Sequence, residues 1–87
     1  MVTRNITILN PEGLHMRPAG IFAEEMGKFS SNVTIRFKNH IVNAKSLLSI
    51  MAACISCGSS IEIECSGNDE EDAMNTAVRL IESRFIV

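Results

Sequence analysis

Apolar residues recur at every second position in some stretches of this chain and at three- and four-residue steps in others. Val2 to Leu9 reads as a strand, with Ile6 and Ile8 on one face and Asn5 and Thr7 on the other. "NPEG", Asn10 to Gly13, supplies a turn with proline second and glycine last. From His15 to about Gly27 the period is helical, with Ala19, Phe22, Ala23 and Met26 on one stripe. Gly27 and the Ser-Ser-Asn run after Phe29 end it. Val33, Ile35 and Phe37 alternate with Thr34 and Arg36, and "KNH", Lys38 to His40, turns the chain into a short strand, Ile41 to Asn43. Ser46 opens a short helix, Leu47 to about Ala53, whose even hydrophobicity implies an apolar outer face. Ile61, Ile63 and Cys65 alternate with Glu62 and Glu64 in a fourth strand. Asn68 or Asp69 caps a last helix, with Met74, Ala77, Val78 and Ile81 facing inward.

The order is therefore βαββαβα. Strands with one apolar face need a cover, and amphipathic helices supply it, which predicts a two-layer sandwich of the α+β class. Thr7, Thr34, Glu62 and Glu64 fall on the other, wet face. The 87 residues suffice for one domain, 1–87. With four Phe and no Trp or Tyr, the core must be mostly aliphatic. A formal net charge of −2 offers no electrostatic footprint for nucleic acid, where a strongly basic face is expected. No apolar run approaches a membrane span, and the first residues lack a signal peptide's apolar core, so a cytoplasmic location is expected, with no membrane insertion. Three cysteines, an odd number, argue against a disulfide framework. Cys54 and Cys57 have redox-motif spacing, but small residues of a reduced protein are the better reading. Two cysteines, a third at position 65 and a distant histidine make a contrived zinc site.

"GLHMRPA", Gly13 to Ala19, carries the candidate chemistry. Histidine is a poor helix cap, yet His15 stands where the cap belongs. The first amides of a helix lack internal partners and its end carries partial positive charge, so such an end binds phosphate. Pro18 has no amide to offer, which leaves those of Met16 and Arg17. The residue before a proline resists helical geometry, so the helix start falls within a residue or two of His15. Neutral imidazole is a nucleophile, and the guanidinium of Arg17 is a fixed fork for phosphate oxygens. Together they suit a side chain that accepts a phosphoryl group and gives it up again. His40, in the expected turn, has no such setting and is assigned no role.

This stretch resembles the active-site signature of the histidine-containing phosphocarrier proteins (HPr) of the bacterial phosphoenolpyruvate-dependent sugar phosphotransferase system. "AKSLLSIM", Ala44 to Met51, resembles the same family's regulatory segment, a serine opening a short helix. The spacing of the two motifs, the length and the element order also agree. The resemblance implies an open-faced β-sandwich, a four-stranded antiparallel sheet with three helices on one face. It implies that His15 takes a phosphoryl group on Nδ1 from phosphorylated enzyme I and passes it to enzyme IIA domains, with Arg17 stabilising the phosphohistidine. It implies docking through Met16, Leu47, Leu48 and Met51, a mix of exposed and core positions, and no cofactor. Ser46 becomes a target for an HPr kinase/phosphorylase, with a catabolite-control transcription factor as a further partner. The chain would be a carrier and not an enzyme. The alternative is a regulatory binding module of the same fold, controlling a transcription factor or kinase. Three features depart from the pattern: no glycine in "KNH", Gly20 where alanine is frequent, at a helix cost of up to about 1 kcal/mol, and the cysteines.

Overall fold

The computed structural model describes residues 1–85. Strands β1 (Val2–Thr7), β2 (Asn32–Phe37), β3 (His40–Asn43) and β4 (Ser60–Ser66) alternate with helices α1 (Met16–Met26), α2 (Leu47–Ala52) and α3 (Glu70–Glu82) in the order β1-α1-β2-β3-α2-β4-α3. The sheet order is β1-β4-β2-β3, and every neighbouring pair is antiparallel. The three helices cover one face, so the architecture is the expected open-faced sandwich.

Register follows the alternation. Ile6 stands opposite Ile61, Ile35 opposite Ile63, and Val42 opposite Ile35, so apolar side chains meet on the helix side. Ile8, Ile35, Ile50, Ile55, Ile61, Ile63 and Ile81 are fully buried with Phe22, Met26 and Phe85. The core is aliphatic, as the composition requires. Phe22 and Phe85 meet edge to face with ring centroids 6.2 Å apart. On the bare face Arg36 bridges two carboxylates, Glu62 at 3.4 Å and Glu64 more closely. That face is polar and laced by ion pairs.

Three local expectations are refined. β1 ends at Thr7, and Leu9 points outward; Ile8 continues inward through backbone bonds with Ser59 and Gly58. His40 belongs to β3 and pairs with Phe37, so the turn is only Lys38 and Asn39. Lys38 takes a left-handed φ of 55° without being glycine, and its ammonium lies 5.1 Å from the centre of the Phe37 ring. On α3, Leu80 and Ala73 are buried with Met74, Ala77 and Ile81, whereas Val78 is only partly covered.

Asp69 occupies the cap position of α3, but its carboxylate does not cap that helix. It accepts instead from the amides of Ser30 and Ser31, each at 2.9 Å, and from the Ser31 hydroxyl. The α1–β2 connection is thereby tied to the start of α3. Those bonds, that of the Ser31 hydroxyl first, hold the Asp69 carboxyl at about 2. Gly67, at φ 152°, lets the two segments approach, since a Cβ there would lie 2.6 Å from the Ser31 Oγ.

Candidate functional site

The loop before α1 aims His15. The amide of Gly13 bonds the Asn10 carbonyl, and the buried Asn10 side-chain amide donates to the Gly13 carbonyl. Leu14, also buried, donates its amide to the Ile55 carbonyl at 2.8 Å. Gly13 sits at φ 65°, and a Cβ there would lie 2.6 Å from the Ile55 carbonyl oxygen, so no other residue fits without displacing one segment. The chain before α1 is thus laid directly on the chain after α2.

His15 takes the cap position, with extended backbone and no side-chain cap bond. Its imidazole is exposed and holds no hydrogen bond among the described residues. The first helical bond runs from the Ala19 amide to the His15 carbonyl at 2.9 Å. Met16 and Arg17 therefore open the helix ahead of its ladder, and Pro18 follows. An anion at His15 meets the positive end of an eleven-residue helix.

Arg17 is not bonded to His15 here. Its Nη1 donates to the Phe85 carbonyl at 3.3 Å and its Nη2 to the Glu12 carboxylate at 3.4 Å. The Glu12 carboxyl lies below the usual carboxylate range, held there first by its own backbone amide and then by Arg17. Glu12 and Phe85 are participants that the sequence reading missed. Phe85 had no signal as a hydrogen-bond acceptor, because the contact uses its backbone; Glu12 stood in plain view in the turn preceding the histidine.

Ser46 caps α2, accepting from the Ser49 amide at 3.2 Å. The apolar face beside it is mixed. Leu48 is 80% exposed and Met16 67%, whereas Leu47 and Met51 lie partly on the core and Ile50 is buried. Met51 and His15 wall one hollow of about 180 Å³ together with Leu14, Cys54, Ile55 and Ser56. Met16, Arg17 and Leu47 line a second groove between α1 and α2. Positions 15 and 51 therefore share one hollow, and positions 16, 17 and 47 share another.

Cys54 was not expected beside the histidine; it reaches the hollow only because Leu14 pairs with Ile55. Cys54 and Cys57 are exposed free thiols. Cys65 is buried in β4, and burial, with Glu70, Asp69 and Glu64 adding to it, pushes its thiol up to about 11. Among the described residues no group of three or more His, Cys, Asp or Glu side chains could hold a metal ion. No helix among them is long and apolar enough to cross a membrane.

Against known proteins, the family described as "PTS HPr component phosphorylation site" matches residues 2–83. The chain belongs to the HPr family. HPr proteins are phosphocarriers of the phosphotransferase system, carriers rather than catalysts. The chain is 34% identical to the phosphocarrier protein HPr of Treponema pallidum, covering 98% of this chain and 97% of that protein. It is 37% identical to the HPr-like protein Crh of Halalkalibacterium halodurans, covering 94% and 98%. The crystal structure of HPr-C-His from Thermoanaerobacter tengcongensis superimposes with a TM-score of 0.95 at 42% identity, covering 98% of this chain and 96% of that one.

Proposed function

We propose that this chain, acting in the cytoplasm as one domain over residues 1–87, receives a phosphoryl group on His15 from phosphorylated enzyme I and delivers it to sugar-specific enzyme IIA domains. The supporting observation is an exposed imidazole in the cap position of α1 that makes no cap bond. The Nδ1 lone pair attacks phosphorus, the bond from phosphorus to the donor breaks, and the donor keeps that electron pair. The helix end and the amides of Met16 and Arg17 take the added negative charge. Arg17 exchanges Glu12 or Phe85 for a phosphoryl oxygen. Delivery reverses these steps. Met16, Leu47, Leu48 and Met51 form the docking surface.

Ser46 is the regulatory position in this reading, a substrate for an HPr kinase/phosphorylase, and its phosphorylated form addresses a catabolite-control transcription factor. A phosphate there enters the docking surface without entering the core. The presence of His15 favours the carrier over a module that only regulates.

The test is incubation with phosphoenolpyruvate and enzyme I. His15 should acquire an acid-labile phosphoryl group, and His15→Ala should fold and acquire none. Equal labelling of the His15→Ala protein overturns the assignment.

A further inference from the structure

We propose that Glu12 is a positioning residue that sets the phosphoryl-transfer potential of this carrier: by competing with the phosphohistidine for the guanidinium of Arg17, it keeps the phosphoryl group on His15 ready to leave. The inference rests on the carrier reading and adds a thermodynamic role for the carboxylate that Arg17 touches.

The fold does not ask for glutamate at this position. Glu12 is the third residue of the turn closed by the Gly13 amide on the Asn10 carbonyl at 3.0 Å. Its φ is not positive, so most residue types would serve there. Its side chain is 47% exposed and that of Arg17 58%, so their pairing at 3.4 Å adds little to stability. It does touch the group that the site needs. Both arms of Arg17 are engaged, one on the Phe85 carbonyl at 3.3 Å and one on Glu12. A guanidinium that reaches for a phosphoryl oxygen must release an acceptor. Of the two, the carboxylate is charged and holds harder.

Glu12 is also held independently of Arg17. Its carboxyl lies below the ordinary value, kept there first by its own backbone amide, then by Arg17 and by the Asn10 side chain. Asn10 is buried and fixed on the Gly13 carbonyl. Two of the three donors therefore stay in place when the guanidinium swings away. The carboxylate remains charged, and two anions compete for one cation. The share of time that the guanidinium spends on Glu12 is lost to the phosphohistidine, whose apparent hold on Arg17 falls by that fraction. A carrier must deliver as well as accept. A phosphoryl group held too firmly by Arg17 would be taken readily and given up poorly, and Glu12 withdraws part of that hold while leaving the guanidinium within reach.

The experiment brings phosphoenolpyruvate, pyruvate and the protein to equilibrium through a trace of enzyme I. It measures the phosphorylated fraction of the parent, Glu12→Gln, Arg17→Ala and the double variant. In this exchange the bond from phosphorus to the enol oxygen breaks and the oxygen keeps the electron pair. A proton taken up at carbon completes pyruvate, and phosphorus bonds to the His15 nitrogen. Enzyme I and its docking cancel from the equilibrium, so only the stability of phosphohistidine relative to histidine moves it. Glu12→Gln should raise the equilibrium constant about three- to fivefold, the reach of one exposed ion pair. In the Arg17→Ala background the same substitution should move it less than about 1.5-fold. The urea midpoint of Glu12→Gln should scarcely change. An unchanged or lowered constant in Glu12→Gln overturns this proposal and leaves the carrier reading standing. An equal shift with and without Arg17 overturns it too, because the carboxylate would then act without the guanidinium. Failure of the parent to acquire phosphate on His15 from enzyme I overturns the carrier reading, and this proposal with it.

Discussion

The guanidinium of Arg17 donates to the backbone carbonyl of Phe85 at 3.3 Å, joining the first turn of α1 to residues beyond the end of α3. Its other arm lies on Glu12, and more than half of the side chain remains exposed. Exposed pairs of this kind contribute about 0–1 kcal/mol, so the fork is lightly held.

Arg17 should therefore matter for transfer and little for folding. Arg17→Ala removes a charge-assisted contact to the phosphoryl group worth about 1.5–3 kcal/mol. Transfer to and from His15 should slow roughly ten- to a hundredfold, while the urea midpoint moves by less than about 1 kcal/mol in stability. Rapid-quench kinetics with enzyme I and an enzyme IIA, beside an unfolding curve, decide it. Equal rates in variant and parent would reduce Arg17 to a surface charge.

Ser46 separates capping from regulation. Ser46→Ala loses the bond to the Ser49 amide and should cost about 0.5–2 kcal/mol. Ser46→Asp keeps an acceptor at the positive end of α2 and should fold as well as the parent. It should nevertheless slow phosphorylation of His15, because it adds charge to an apolar docking surface. Full phosphorylation by an HPr kinase should slow it further. Incorporation at Ser46 with an unaltered transfer rate would leave the serine as a cap alone.

Leu48 and Ile50 are two positions apart and should behave oppositely. Leu48→Asp, on a side chain 80% exposed, should shift stability by less than about 1 kcal/mol. Its KM for enzyme I should rise. Ile50→Ala, in the core, should cost about 2–5 kcal/mol. Met51→Asp falls between, since Met51 both packs on the core and walls the hollow at His15. Transfer kinetics identical to the parent's for Leu48→Asp would remove α2 from the docking surface.

Asp69 predicts the acid limb of stability. Its carboxyl falls from an ordinary 3.8 to about 2, chiefly through the Ser31 hydroxyl and the Ser30 amide. A group depressed in the folded state binds its proton more readily when unfolded. Its contribution is therefore complete above about pH 4 and is lost as the pH falls toward about 2. Asp69→Asn should be less stable at neutral pH and should converge on the parent within that window. Urea midpoints between pH 7 and 2 measure the difference, and parallel curves for the two proteins would rule the assignment out.

The strands and long helices were legible because burial is periodic in this chain. Val33, Ile35 and Phe37 can face one way only, and Phe22 and Met26 lie one turn apart on a single stripe. His15, Ser46 and the apolar character of α2 were legible too, since each rests on local chemistry at a helix start. What escaped was contact between distant segments. Asp69 reads as a cap by its position, yet its carboxylate finds better donors in Ser30 and Ser31. Cys54 reads as one cysteine of a spaced pair, and only the packing of Leu14 on Ile55 brings it to the histidine. A local pattern records which face is apolar; it does not record which loop lies against which.

The backbone joint between Leu14 and Ile55 bears on the tempo of transfer. Gly13 presses closely on Ile55 and Ser56, so the loop that carries the imidazole is packed backbone against backbone on the segment that follows α2. In the proposed reaction the one internal change an encounter then asks for is the swing of Arg17 away from Glu12 or Phe85. If transfer runs as proposed, its success should depend on the angle of approach, and its frequency on diffusion and the orientational fraction of collisions. A longer loop on either side of this joint would decouple histidine from helix and add a slow internal step before each productive collision.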